Sequence, residues 1–380
     1  MPYKSKLFIF LTIYFTALSV WWVKFNFFSS FASEGAWYNI FYGVMALVGA
    51  IYGFKTYKAW GGLKTLIGKA LFLFSLGLLS EWIANVIWGY FNIVLKVEVP
   101  YPSIADIFFF SIIPIYFVAI FLLGKASGVN ITVKKIKGVF VAIIIPLLML
   151  LLAYSLFFKE GIEFSDPFRA FFDISYPLGY SITFSATMIV YFLTQKQLGG
   201  VMKKVVLSVL AAYLMQFVAD YTFLYRALQG TYVNGGMTDF LYSIALFAMP
   251  VALINFNKVL YSFKSELNNN QFIAEKDSTS VENQASLKIY SEIINKIIID
   301  QEKIIGPLAV EYAKSVSGLS VSGTVNQLEI NLSGNGSKIL KDLVEAYKDI
   351  FGNASVAVVK ESVAKVLNNK PEYKDILEQL

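Results

Sequence analysis

Pro102-Ser103-Ile104-Ala105-Asp106-Ile107-Phe108-Phe109-Phe110-Ser111 opens an apolar run that continues through Pro114 to Leu123. The same opening recurs. Asp173-Ile174-Ser175-Tyr176 and Asp239-Phe240-Leu241-Tyr242 begin two later apolar runs, and Asn39-Ile40-Phe41-Tyr42 begins an earlier one. Each is Asn or Asp, then Ile or Phe, then any residue, then an aromatic. The four recur at a step of about 67 residues, and a fixed period with shared opening chemistry marks an internal repeat. The period predicts four tandem helical hairpins whose second helices start at these four places.

The chain has 380 residues, 57% hydrophobic, 17% aromatic and 15% charged, with a mean hydropathy of +0.60. That is too apolar for a soluble domain and indicates a membrane protein with the lipid bilayer as its solvent. The formal charge of +6 comes from Lys and Arg spread over the segments between apolar runs, a pattern that orients a protein in a membrane. No nucleic-acid partner is expected: from Gln284 onward acids and lysines nearly balance, with no basic footprint. The chain contains neither Cys nor His. Disulfides, thiolate chemistry, imidazole ligands, histidine bases and phosphohistidine relays are all removed. No metal and no cofactor is expected, and a membrane enzyme is the weakest functional reading because the usual nucleophile and base constellations need residues this chain lacks.

Eight apolar spans run roughly over residues 7–23, 37–54, 70–91, 104–123, 139–158, 171–193, 205–224 and 240–256, each long enough for a hydrocarbon core of about 30 Å. The first resembles a secretory leader only superficially. It ends in Trp21-Trp22-Val23-Lys24 rather than a small-residue cleavage site, so it reads as a retained helix. Segments after even spans carry Lys55, Lys58, Lys64 and Lys69, then Lys125, Lys134, Lys135 and Lys137, then Lys196, Lys203 and Lys204, without acids. Segments after odd spans mix Lys24, Lys96, Lys159, Arg169 and Arg226 with Glu34, Glu98, Glu160, Glu163 and Asp166. The positive-inside rule then places both termini in the cytoplasm and the four repeat positions Asn39, Asp106, Asp173 and Asp239 at the outer face of the cell membrane.

These boundaries predict an eight-helix transmembrane domain over residues 1–262, a polar linker over 263–284 and a small domain over 285–380. In that domain Tyr290, Ile294, Ile297 and Ile304 follow a 4,3 spacing with Gln301 in the remaining slot, so the helix over 287–304 can pair with a second copy. Gly306-Pro307 breaks it and a second helix reaches about Val316. Val321, Val325, Leu328, Ile330 and Leu332 predict a short hairpin around Gly323. Helices over 337–351, capped by Ser337 and stopped by Gly352, and over 354–367 close the domain. The expected fold is thus an all-α polytopic membrane protein of eight transmembrane helices, followed by a small α+β, mostly helical, cytoplasmic domain.

Three sets of residues are candidates for function. Asp106, Asp173 and Asp239 open helices, where a carboxylate satisfies free backbone donors and needs no further role; the alternative is a ring of outward carboxylates around a cavity mouth. Glu81 and Asp220 lie inside spans three and seven, and no Lys or Arg lies within any span to pair with them. Helical spacing puts Glu81, Asn85 and Trp88 on one face, with Asn92 following, and Gln216 and Asp220 on another, with Tyr213 preceding. Tyr176, Tyr180, Thr183 and Thr187 form a hydroxyl stripe on span six. Such stripes face a bundle interior, either as interhelical hydrogen bonds or as a site for an unknown small ligand, ion or proton. Gly334-Asn335-Gly336-Ser337-Lys338 lacks the order of a phosphate loop and reads as a turn into a helix.

With Pro102-Ser103-Ile104-Ala105-Asp106-Ile107-Phe108-Phe109, preceded by Glu81-Trp82 and followed by Ser175-Tyr176-Pro177-Leu178-Gly179, residues 1–262 resemble a family of multi-helix membrane sensor modules. Those modules stand ahead of diguanylate cyclase, phosphodiesterase or histidine kinase domains in bacteria and archaea. The resemblance implies sensing of a signal and its relay to a cytoplasmic output. Residues 284–380 carry no Gly-Gly-Asp/Glu-Glu-Phe cyclase signature, no Glu-x-Leu phosphodiesterase region and no histidine, so the expected output is contact with a cytoplasmic protein partner or self-association through 287–304. The competing expectation is a proton- or cation-coupled transporter or channel using Glu81 and Asp220.

Overall fold

The structure, a computed structural model, describes residues 6–28, 35–127, 136–159, 161–162, 164–197, 200–270, 284–305, 308–324, 327–351, 353–367 and 376. Each predicted apolar span forms a helix: α1 Lys6–Phe28, α2 Gly35–Ala59, α3 Leu66–Gly89, α4 Ile104–Ala126, α5 Ile136–Ala153, α6 Pro167–Gln197, α7 Gly200–Leu228 and α8 Met237–Asn270. Among the described residues seven stretches are long and apolar enough to cross a membrane, while the fifth helix contributes a shorter one, Ile143–Phe158. α3 and α5 both end in a π-helical turn, Tyr90–Leu95 and Tyr154–Phe158.

The helices pack as a ring. α2 lies against α3, α3 against α4, α4 against α6, α6 against α7, α7 against α8, and α8 closes on α2. α1 packs outside this ring against α8 and α2, and α5 outside it against α6. Their exposed faces are apolar, with Ile9, Phe10, Ile13 and Val20 on α1 and Ile143, Leu147, Leu148 and Leu151 on α5, as lipid contact requires. The ring is therefore two successive three-helix arcs, α2–α3–α4 and α6–α7–α8, joined through two interfaces.

The four hairpins expected from the period are consequently of two kinds. All four even helices stand in the ring, and they begin close to Asn39, Asp106, Asp173 and Asp239. The odd helices alternate, with α1 and α5 peripheral and α3 and α7 in the ring. Close packing within an arc depends on small residues: a Cβ on Gly77 of α3 would come within 2.1 Å of the Tyr116 ring on α4, so only glycine fits that crossing.

Beyond the bundle, α8 continues as helix to Asn270, covering the first part of the predicted linker. The rest of that linker, the Gly306-Pro307 break and the Gly352 stop lie outside the described residues. The smaller C-terminal region comprises α9 Gln284–Ile305, α10 Leu308–Ser315, an antiparallel hairpin of β1 Leu319–Thr324 and β2 Gln327–Leu332, α11 Gly336–Phe351 and α12 Asn353–Leu367. α9 is its centre, packed on β2, α10, α11 and α12. Of the residues expected to pair with a second copy, Tyr290, Ile294, Ile297 and Gln301 are buried inside this region and Ile304 is half-buried against its core. Gln301 Nε2 donates to Ser355 O at 3.1 Å. The stripe is spent on the protein's own core, which corrects the expectation of self-association through 287–304. The cap of α11 also differs from expectation, because Asn335 Oδ1, not Ser337, accepts from Lys338 N at 2.9 Å. Finally, α9 touches α3, α10 touches α8 and α11 touches α7.

Candidate functional site

The helix ring encloses a cavity of about 700 Å³ that opens at the end of the bundle carrying the loops after odd helices. Both fixed positions of the repeat reach it. The acid or amide at its first position (Asn39, Asp106, Asp173, Asp239) and the aromatic at its fourth (Tyr42, Phe109, Tyr176, Tyr242) line the wall in all four copies. Residues three apart share a helix face, so the Asn/Asp-x-x-aromatic spacing is the local reason that each even helix presents a polar group and a ring to the same space.

At the mouth the carboxylates are held by different partners. Ser103 and Asp106 form a capping box: Asp106 Oδ2 accepts from Ser103 N at 2.7 Å, and Ala105 N donates to Ser103 Oγ at 3.2 Å. Tyr176 reaches Asp106 Oδ1 from α6 at 3.1 Å. Asp239 accepts from Gly235 N and from Tyr232 Oη, the latter at 3.0 Å. Asp173 departs from the expected helix-opening role. Asp166 caps α6 instead, accepting from Phe168 N at 2.9 Å and Arg169 N at 3.2 Å. Asp173 sits farther along the helix, where it accepts from Tyr101 Oη at 2.8 Å and lies 3.7 Å from Arg169 Nε. Arg169 in turn stacks over the Tyr101 ring at 5.9 Å. The fourth position, Asn39, lies between Asn234 and Asp239, with its amide reaching 3.0 Å from Asn234 Oδ1 or, turned over, 2.7 Å from Asp239 Oδ2.

The loop between α7 and α8 straps this mouth. Asn234 accepts from Trp88 Nε1 at 3.2 Å and donates to Asn92 Oδ1 at 3.2 Å, while Trp22 of α1 donates to Gly235 O at 3.0 Å. Burial pushes the Tyr232 and Tyr101 phenols up, and each is pushed further by its neighbouring carboxylate. Both therefore stay protonated and act as donors.

Deeper lie Glu81 and Asp220, 3% and 4% exposed. Asn85 Nδ2 donates to Glu81 Oε1 at 3.1 Å, and Gln216 Nε2 to Asp220 Oδ1 at 3.3 Å. Tyr242 of α8 also donates to Asp220 Oδ1, at 2.9 Å. Glu81, Asn85, Trp88 and Asp220 line the cavity, whereas Gln216 stands behind Asp220 as its support. The hydroxyl stripe divides: Tyr176 and Tyr180 line the cavity, but Thr183 and Thr187 lie below it, each satisfied by its own helix at Gly179 O and Thr183 O. Both π-helical turns bring a residue to the wall, Asn92 and Phe157.

Below Glu81 and Asp220 the ring is filled. Met45, Phe74, Leu78, Tyr116, Tyr213 and Met249 are all buried there, so the cavity ends blindly within the bundle. Sequence reading missed Tyr101, Tyr232 and Asn234, which come from loops, and Arg169 and Phe223, which continue the faces of Tyr176 and Asp220 and could have been found by extending those spacings. Tyr42 and Tyr242 were present as the fourth position of the repeat, and that position was their signal.

Fold and site together define a polytopic membrane helix bundle with a distinct smaller C-terminal domain. The chain matches no family model, no curated protein and no solved structure.

Proposed function

We propose that the chain is a membrane receptor of eight spans in four tandem hairpins, with both termini cytoplasmic, that admits a positively charged ligand from the outer face and relays its occupancy to the C-terminal domain. The observation that carries this reading is the convergence of both repeat positions from all four even helices, together with Glu81 and Asp220, on one blind cavity. Its wall bears six carboxylates and one guanidinium, from Glu81, Glu98, Asp106, Asp173, Asp220, Asp239 and Arg169. Such a balance attracts cations and repels anions.

Relay is supported by the contacts of the C-terminal domain, since α9 and α11 pack on α3 and α7, the helices that carry Glu81 and Asp220. A change in how those acids are engaged therefore has a continuous helical path to that domain. The resemblance of residues 1–262 to membrane sensor modules points the same way, and the missing enzyme signatures favour output through protein contact. The second reading, a proton- or cation-coupled transporter, rests on the same Glu81 and Asp220.

Replacement of Glu81 by Gln and of Asp220 by Asn keeps size and hydrogen bonding while removing ionisation. Both variants should insert and melt like the parent, yet change hydrogen exchange in α9 and α11. Unchanged exchange in both would refute a relay from the cavity.

A further inference from the structure

We propose that the cavity binds an elongated organic polycation of the polyamine class, its ammonium groups held on an outer pair of carboxylates and on two inner ones, about one to two helical turns deeper. This deepens the receptor reading and rests on it. Asp106 and Asp239 form the outer level; Asp220 lies below them and Glu81 about one turn deeper still. The spacing of Asp220 below Asp239 follows from a shared helix. On α8, Tyr242 bonds Asp220 and stands three residues beyond Asp239, a rise of about 4.5 Å.

None of these four carboxylates is in an ion pair among the described residues, and the lining guanidinium of Arg169 is engaged by Asp173. Glu81 supplies an independent observation. It is 3% exposed and lines the cavity, and its Oε2 has no hydrogen-bond partner among the described residues. A buried carboxylate with a free oxygen on a cavity wall is a seat for a cation, since burial without a counter-charge is costly.

The rest of the wall selects the kind of cation. Tyr42, Trp88, Phe109, Tyr176, Phe223 and Tyr242 surround the acids with aromatic faces and edges, which suit methylene chains and attract ammonium groups. A bare metal ion is disfavoured, because among the described residues no three acids cluster closely enough to ligate one. The volume of about 700 Å³ falls in the range of small organic ligands.

The full-length protein in nanodiscs should be titrated calorimetrically with spermidine, tetramethylammonium and Mg²⁺ at matched ionic strength, and with putrescine against butylamine. Saturable spermidine binding is expected, at least about tenfold tighter than tetramethylammonium or Mg²⁺, with putrescine tighter than butylamine. Glu81→Gln and Asp106→Asn should each weaken spermidine about tenfold. The amine pairs need no variant, so a folding defect cannot mask the answer. Spermidine binding no better than tetramethylammonium or Mg²⁺ overturns the proposal. If one of those probes then binds in a Glu81-dependent way, the receptor reading survives and only the polyamine class falls. If no probe depends on Glu81, both fall.

Discussion

Gln216 donates to Asp220 Oδ1 across 3.3 Å on α7, and this pair is the counterpart of Glu81 and Asn85 on α3 with acid and amide exchanged. The repeat relates the two ring arcs by an offset of about 134 residues, which carries Asn39 onto Asp173 and Asp106 close to Asp239. Nearly the same offset carries Glu81 onto Gln216 and Asn85 onto Asp220. Each arc thus supplies one acid and one amide four residues apart, but the acid of α3 stands one turn deeper. This exchange gives the inner site depth along the bundle axis instead of two carboxylates at one level, where like charges would repel.

Asp220 should respond differently to two replacements. Asp220→Asn leaves acceptors for Tyr242 and Gln216, so thermal stability should change by less than about 1 kcal/mol. Asp220→Leu strands both donors and should cost roughly 1–2 kcal/mol. Equal melting of the two variants would show that the Tyr242 and Gln216 bonds contribute nothing measurable.

Gly77→Ala tests the crossing of α3 and α4. A Cβ there meets Tyr116 Cε1 at 2.1 Å, and the ring is packed against Phe74 and Tyr213. Overpacking of this kind costs about 1–3 kcal/mol. A variant that melts at the parent temperature would show that the Tyr116 ring yields freely, contrary to the packing described.

In the C-terminal domain, burial alone would raise the Asp300 carboxyl, but hydrogen bonds from Lys296, Lys303 and Ser362 outweigh it and hold it below its ordinary value of 3.8. A depressed carboxyl stabilises the fold fully above its unfolded value and loses that contribution as pH falls through its folded value. The Ser362 bond ties α9 to α12. Hydrogen exchange in these helices, corrected for intrinsic rates, should therefore accelerate as pH drops below 3.8. Asp300→Asn should abolish that step at a cost of roughly 1 kcal/mol at neutral pH. A step that persists in Asp300→Asn belongs to another group.

The helices were legible because each apolar run is long and separated by polar segments, and the even-helix faces because the repeat fixes two positions three residues apart. Helices α11 and α12 lie within a residue of their expected bounds because their helical stripes are plain, whereas the expected hairpin forms with Gly323 paired to Leu328 inside the ladder, not at its turn. The placement of α1 and α5 outside the ring was not legible. A helix that is apolar all round looks alike whether it faces lipid or protein, and only among the odd spans did the absence of an internal acid set one and five apart from three and seven. Tyr232 and Asn234 sit in a loop without periodicity, and their role comes from the chain crossing the mouth. Thr183 and Thr187 share a helical face with Tyr176 and Tyr180, but spacing along a helix carries no information about where a cavity ends.

Orientation is tested by single reporter fusions. Fusions at Lys64, Lys135 and Gly200 should report the cytoplasm, and those at Ser30, Glu98 and Glu163 the outside. Inversion at most sites would mean that the lysine-rich ends face outward and that the cavity opens inward.

Receptor and transporter differ in what lies below Glu81. Alternating access needs a path to the other side, and in transporters such paths are typically lined by broken helices or polar groups at the midplane. Here the wall ends at Glu81, Asp220 and Tyr242, and the ring beyond them is closed by Phe74, Leu78, Tyr213 and Met249, each no more than 2% exposed. Tyr116 and Tyr213 meet edge to face across α4 and α7 at 5.8 Å, tying the two arcs together at this level. Opening a path would separate these rings and unpack several large side chains at once. Full-length protein in liposomes should therefore pass neither protons nor labelled spermidine faster than protein-free vesicles under an imposed gradient. Flux abolished by Glu81→Gln would make the same carboxylate part of a transport path, and the transporter reading would replace the receptor.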